Sequence, residues 1–327
     1  MVSKTAATAE RRSSPPARDD IAGMEAIVRQ HIRRTPVAHL ASRQIAGAVT
    51  DLATSVTLKL EQLQCSGSFK ARGAFANLLT RAVPAAGVVA ASGGNHGVAV
   101  AYAAAQLGVR AHIFVPTVSA AQKVSRIKAL GAHLVVEGER YSDALLVADT
   151  FATASGALPI HAFDQWETIA GQGTLAVELS AQAPEVTTVV VPVGGGGLIA
   201  GIAAYLRDTV RIVGVEPSGA PTLTRARASG APVDAPTGSI AADALAPRRV
   251  GELVFPLTEA YVDDVVLVDD AAIVQAQQFL WDELRIVAEP AAAVGIAALR
   301  SGAYRPDPGE RLAVVITGAN TLAPHGV

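Results

Sequence analysis

The most constraining stretch of the chain is an unbroken apolar run, Thr188 to Val193, that meets four consecutive glycines, Gly194 to Gly197. It resumes at Leu198 with small apolar residues to about Arg207. A run without polar alternation belongs to a strand covered on both faces, and such strands occur in parallel sheets joined by helical crossovers. Arg211 to Val215 supplies the next strand. The same order appears earlier, where Gly87 to Ala91 leads through Ser92-Gly93-Gly94-Asn95-His96 into a helix ending at Leu107, with Gly108 as its stop and Ala111 to Val115 beyond. A helix over Ala120 to Leu130, a stop at Gly131 and a strand over Ala132 to Val136 extend the pattern. The expected class is α/β, with two open parallel-sheet domains and a cleft between them.

Length and charge narrow the function. At roughly 150 residues per domain, 327 residues suggest two. Lys plus Arg number 27 against 29 Asp plus Glu, and the cations are scattered, as in Arg33-Arg34 and Arg248-Arg249, so a dedicated nucleic-acid partner is excluded. One cysteine, Cys65, excludes an internal disulfide and a cysteine-only metal cage, and fits a reducing, cytoplasmic setting. The longest apolar stretches are cut by Ser92 to His96 and by Pro192 to Gly197, so no membrane span is expected. Residues 1–20, rich in Ala, Ser, Pro and Arg, have no apolar core of a secretory signal and read as a disordered tail. A helix is expected from Ile21 to His31, then a turn at Arg34-Thr35-Pro36.

Three clusters carry candidate chemistry. Gly194 to Gly197 with Leu198 stands between a strand and a helix, where free N–H groups meet an anion. A dinucleotide reading competes, because Gly195-x-Gly197-x-x-Ala200 matches that fingerprint and Glu216 ends the following strand. Ser66-Gly67-Ser68-Phe69-Lys70 opens a helix near Phe69. The positive end of a helix dipole lowers an amine's pKa toward the nucleophilic form, although a solubilising lysine fits the same pattern. Ser92 to His96 suits a carboxylate, with Asn95 as amide donor; equally, Asn95 can cap the helix and His96 can be a packing residue. The seven histidines show no metal-binding H-x-x-x-H spacing, and Ser125-x-x-Lys128 is a chance match to an acylase spacing.

Taken with Thr317-Gly318-Ala319-Asn320, these clusters resemble the fold-type II pyridoxal-phosphate enzymes, and within them the serine/threonine dehydratases. The resemblance runs from about Ile21 to Asn320 and includes Glu61-Gln62-Leu63-Gln64, Ala162-Phe163-Asp164 and Ile169-Ala170-Gly171-Gln172-Gly173-Thr174. It implies a large cofactor-binding domain over 21–70 and 160–327 and a small substrate-loop domain over 71–159. It also implies that Lys70 is the Schiff-base lysine and catalytic base, and that Gly194, Gly195, Gly196, Gly197 and Leu198 cradle the pyridoxal 5'-phosphate phosphate group. Phe69 would pack on the cofactor ring, Asn95 would bond its oxygen and Thr317 would reach its nitrogen. Ser92, Gly93, Gly94, Asn95 and His96 would hold the carboxylate of a small amino-acid substrate. A homodimer is the expected assembly.

The implied reaction is β-elimination from a small 3-hydroxy amino acid such as L-threonine or L-serine, giving a 2-oxo acid and ammonia. Serine racemase and a β-replacing synthase are the alternatives within the class; a nicotinamide-dependent oxidoreductase and a non-catalytic binding protein are those outside it. Three departures stand out. Racemising members carry a second serine where this chain has Gly93, which undercuts racemisation. The cation signature that starts at Glu216-Pro217-Ser218 has Thr222 in place of its later carboxylate, so no metal is expected. Ala244 replaces the glycine of an Ala-Asp-Gly phrase. A β-branched residue at Gly195 or Gly196 is expected to weaken cofactor binding more than stability.

Overall fold

Strands covered on both faces account for both observed sheets. The computed structural model describes residues 14–45, 55–119, 121–139, 141–245 and 247–321. In chain order the strands are β1 (Val37–Leu40), β2 (Val56–Leu60), β3 (Val88–Ala91), β4 (Ala111–Val115), β5 (His133–Val136) and β6 (Leu158–Pro159). They continue with β7 (Thr188–Pro192), β8 (Arg211–Pro217), β9 (Asp264–Val268) and β10 (Leu312–Ile316). Six form one sheet in the order β1-β2-β10-β7-β8-β9, and four form a second in the order β5-β4-β3-β6. Every pairing is parallel except β1 with β2. Strands β3, β7 and β10 are buried at every position, which is why their sequences show no polar alternation.

The first helix spans Arg18–Val28, so it opens inside the stretch expected to be a disordered tail. Asp19 and Asp20 lie in its first turn, where carboxylates meet the positive end of the dipole, and Asp20 accepts the Ala17 N–H at 2.9 Å. Residues 1–13 of that tail lie outside the described residues. The Asn95–Leu107 helix closes on Gly108 at φ 65°, and Gly197–Leu206 follows the glycine run. The helix expected over Ala120 to Leu130 spans Ala121–Ala129; Ala120 lies outside the described residues.

The Lys70–Thr80 helix packs on Trp166–Gln182 from the larger layer and on Asn95–Leu107 from the smaller one. Its Ala71, Ala74 and Phe75 share a buried core with Ile21, Val98, Ile113, Ile169 and Ala200. The apolar interior is thus continuous beneath the cleft.

Within this interior lies a charged cluster. The Arg72 side chain is fully buried and forks onto Glu61, Nε to Oε2 and Nη2 to Oε1, both at 2.8 Å. It also donates to Glu178 at 2.8 and 2.9 Å and to Thr174 Oγ1 at 3.1 Å. Lys59 completes the cluster through Glu178 at 2.7 Å and the Thr35 carbonyl at 2.8 Å. Burial pulls against every charge here. For Arg72, the Glu61 and Glu178 carboxylates outweigh it and hold the guanidinium above its usual range; for Glu61, Arg72 and Lys59 hold the carboxyl below its usual range. Breaking such a pair strands an uncompensated buried charge. Arg72→Met is therefore expected to cost about 3 to 5 kcal/mol, read as a lower guanidinium unfolding midpoint. Arg72→Lys is expected to recover little, because an ammonium cannot make the two-pronged contact. An unchanged midpoint in Arg72→Met would contradict this account.

Candidate active site

The site is built at the carboxyl ends of β2, β3, β7 and β10. Lys70 is the first residue of its helix and Phe69 the residue before it. The segment leading to them is zipped to the one that follows β10: Phe69 N–H donates to the Thr317 carbonyl at 3.1 Å, Ala319 N–H to the Gly67 carbonyl at 3.0 Å, and Ser68 pairs with Gly318. Ser66 takes φ 63°, a left-handed conformation that costs a non-glycine residue roughly 1 to 3 kcal/mol. The Ser66 and Ser68 hydroxyls are buried with no hydrogen-bond partner among the described residues.

Lys70 Nζ donates to the Ala162 carbonyl at 2.6 Å and lies 5.1 Å from the centre of the Phe69 ring. Burial lowers its pKa to about 8, against the opposing pull of the Glu289 carboxylate. At pH 7 roughly a tenth of such amines are neutral, far more than for an exposed lysine.

Asn95 is not the helix cap; Gly94 is. Its side chain is instead fixed on both ends, Nδ2 donating to Glu289 Oε1 at 2.5 Å and Oδ1 accepting from Asn320 Nδ2 at 2.7 Å. His96 is buried with Nε2 3.0 Å from the Ile160 carbonyl, and burial, then the Lys70 charge, push its pKa down to about 3. The ring is thus neutral and rests against the Ile160 backbone. Ser92 Oγ accepts the Gly94 N–H at 3.1 Å, shaping the loop at the helix N-terminus.

Glu289, Lys123, Arg126 and Asp243 were not singled out for this site from the sequence. Glu289 precedes the Pro290–Ser301 helix, and burial raises its pKa against the influence of Lys123 and Asn95. Lys123 pairs with Asp243 and lies 3.9 Å from Glu289 Oε2; Arg126 contacts Asn320 Oδ1. Both cations ride on the Ala121–Ala129 helix and meet residues from the larger sheet's side of the cleft. The one legible signal was Glu289-Pro290, a cap residue followed by proline before a small-residue helix.

The glycine run is pressed from several sides. Gly196, at φ 86°, precedes the Gly197–Leu206 helix. A side chain on Gly195 would enter the Phe163 ring, one on Gly197 would meet the Phe163 backbone, and one on Gly194 would meet Leu245 and the Ala244 carbonyl at 2.9 and 3.0 Å. The segment around Ala244 thus walls the run through its backbone. This packing adds a stability cost to the loss of cofactor affinity expected from bulk at Gly195.

Glu216 has its carboxylate engaged at a helix start. It is fully buried, and its carboxylate accepts the N–H groups of Leu223 and Thr224 at 2.7 and 2.9 Å and the Thr224 hydroxyl at 2.7 Å, at the start of the Thr222–Ser229 helix. Thr222 Oγ1 donates to the Pro247 carbonyl at 3.0 Å.

A model of the pyridoxal-phosphate dependent enzymes matches residues 28–318. The chain belongs to that family. It is 34% identical over 307 residues to an L-threonine ammonia-lyase of Thermotoga maritima, covering 92% of this chain and 75% of that one. It is 38% identical over 271 residues to the biosynthetic L-threonine dehydratase of Escherichia coli, covering 81% of this chain but only 53% of that protein, so the chain spans about half of the latter. The structure of maize serine racemase superposes with a TM-score of 0.86 at 32% identity over 93% of this chain and 94% of that one. The fold is thus fold type II and the cofactor is pyridoxal phosphate; the oxidoreductase reading of the glycine fingerprint is set aside.

The residues present fit that cofactor. A half-buried amine with lowered pKa, two partnerless buried hydroxyls, and N–H groups at a helix start behind Gly196 supply an amine for an aldehyde and donors for a phosphate. Among the described residues, no helix is long and apolar enough to cross a membrane.

Two outcomes follow. In cofactor-stripped protein, trinitrophenylation of Lys70, read by mass spectrometry, is expected to rise with pH about a midpoint near 8. Glu289→Gln removes a charge that favours the ammonium, so its midpoint is expected to fall further; a midpoint near 10 in the parent would contradict the burial argument. Gly195→Val is expected to lower the thermal midpoint and cofactor affinity together, because Phe163 must move. Loss of affinity at unchanged stability would restore the earlier expectation.

Proposed function

We propose that the protein is an ammonia-lyase that dehydrates and deaminates a small 3-hydroxy amino acid, such as L-threonine or L-serine, to a 2-oxo acid and ammonia. The observation that carries the reading is Lys70: an amine with pKa lowered to about 8, at the start of a helix, bonded to the Ala162 carbonyl beside the Phe163 that packs on the glycine run. The cofactor, when bound, supplies the electron sink that makes an α-proton acidic.

The chain's own residues do the rest. Lys70 carries the cofactor and, once free, accepts the α-proton at Nζ. N–H groups of the Ser92 to His96 loop, at the start of a 13-residue helix, hold the substrate carboxylate. Asn95 spends one Nδ2 proton on Glu289 and keeps the other for the cofactor oxygen. Gly194 to Gly197 and Leu198 receive the phosphate. Thr317, buried at the end of β10, offers the ring nitrogen a neutral hydroxyl and no charge, which favours rapid loss of a β-substituent. The 3-hydroxyl would leave as water with the proton that Lys70 Nζ took from the α-carbon, and the released enamine takes up one water to give the 2-oxo acid and ammonia.

A panel of 3-hydroxy amino acids assayed for 2-oxo acid release tests this reading. Lys70→Ala is expected to lose turnover by at least about 10³-fold while keeping its circular dichroism, because the side chain carries no core packing. Substantial residual ammonia release from that variant, or no 2-oxo acid from any member of the panel, would overturn it.

A further inference from the structure

Gly93 has a neighbour that its sequence position does not announce. A methyl group built on Gly93 would fall onto the side chain of Ser119, 2.5 Å from its Cβ and nearer still to its Oγ, with Val115 Cβ at 3.6 Å. The space a side chain at position 93 would fill is therefore taken by the hydroxymethyl group of Ser119. That residue sits in the turn after β4, its N–H donating to the Pro116 carbonyl at 3.1 Å. Gly93 and Ser119 are both partly exposed, and the Ser119 hydroxyl makes no hydrogen bond to the described residues. The next residue, Gly94, faces Asp243 across the cleft, with the Asp243 carbonyl 3.3 Å from the place of its absent side chain.

Topology sets the two hydroxyl and amine groups on opposite walls. Lys70 follows β2 of the six-stranded sheet, whereas Ser119 follows β4 of the four-stranded one. A substrate lying between the walls presents one face to each. We propose that Ser119 is the proton donor on the face opposite Lys70, standing in for the side chain that Gly93 lacks. This rests on the reading of Lys70 as the α-proton base.

The step balances without a redox partner. Lys70 Nζ takes the α-proton from one face; the Ser119 O–H bond breaks as a new Cα–H bond forms on the other face. Water then returns a proton to the Ser119 alkoxide and takes one from the Lys70 ammonium. The net result is inversion of the amino acid, running beside elimination. It runs against the expectation that Gly93 undercuts racemisation.

The test compares the holoenzyme with Ser119→Ala, Gly93→Ser and the double variant. Overpacking in Gly93→Ser is expected to lower the thermal midpoint by roughly 3 °C or more, and Ser119→Ala in the same chain is expected to return part of it, because the Cβ that alanine keeps still crowds residue 93. From L-serine in deuterated water, the ratio of α-deuterated D-serine to 2-oxo acid is expected to fall by roughly 10²-fold in Ser119→Ala and to recover in the double variant, where the hydroxyl returns on residue 93. An unchanged ratio in Ser119→Ala, or independent midpoint losses in the two single variants, would overturn the proposal. A parent enzyme that releases 2-oxo acid without D-serine would overturn it while leaving the elimination reading intact; one that yields neither would overturn both.

Discussion

A single buried guanidinium holds the reactive end of the molecule in place. Arg72 lies two residues after Lys70 and binds carboxylates from two other elements, Glu61 just past β2 and Glu178 on the Trp166–Gln182 helix. The first turn of the lysine helix is thereby tied to the central sheet and to the helix that covers it. Charges without solvent tolerate little displacement, since any loosening exposes an unpaired ion to an apolar interior. The amine of Lys70 inherits that rigidity. An apolar replacement of the whole cluster could equal its stability; it would not supply the directional forks that set the helix start.

Above this anchor the cleft is spanned by polar contacts rather than by apolar ones. Asn95 from the smaller layer meets Glu289 and Asn320 from the larger, and Lys123 and Arg126 reach across to Asp243 and Asn320. Polar links can be exchanged for water or ligand at modest cost, whereas a continuous apolar seam could not. The continuous core lies lower, through Phe75, Val98 and Ile169. The two layers are thus fused at the base and hydrogen-bonded at the mouth, an arrangement that suits entry of a small polar substrate.

The glycine run illustrates two demands on one stretch. A phosphate needs backbone N–H groups at a helix start, and Gly196 at φ 86° sets up that turn. The protein itself, through Phe163, Leu245 and the Ala244 carbonyl, leaves no room for side chains at Gly195 and Gly194. Chemistry and packing therefore act on the same residues.

Much of this was legible in one dimension because its physics is local. Apolar runs announced β3, β4, β7 and β8, Gly108 announced a helix stop, and the glycine cluster announced a tight strand-to-helix turn, each through periodicity or backbone freedom within a few residues. The motif phrases around Glu61 and Thr174 were visible as text, yet nothing in their spacing said that they would converge on Arg72 in one ion cluster. Likewise Glu289, Lys123 and the pairing of Ser119 with Gly93 bring together residues separated by 26 to 194 positions. Side-chain convergence of that kind depends on how two sheets stack and which helix crosses which, and no local propensity encodes it. The sequence by itself determined the class of fold and marked the candidate lysine and the glycine turn; only the tertiary structure decided what holds the lysine, what lowers its pKa, and which hydroxyl stands beside Gly93, because those are fixed by contacts between distant segments.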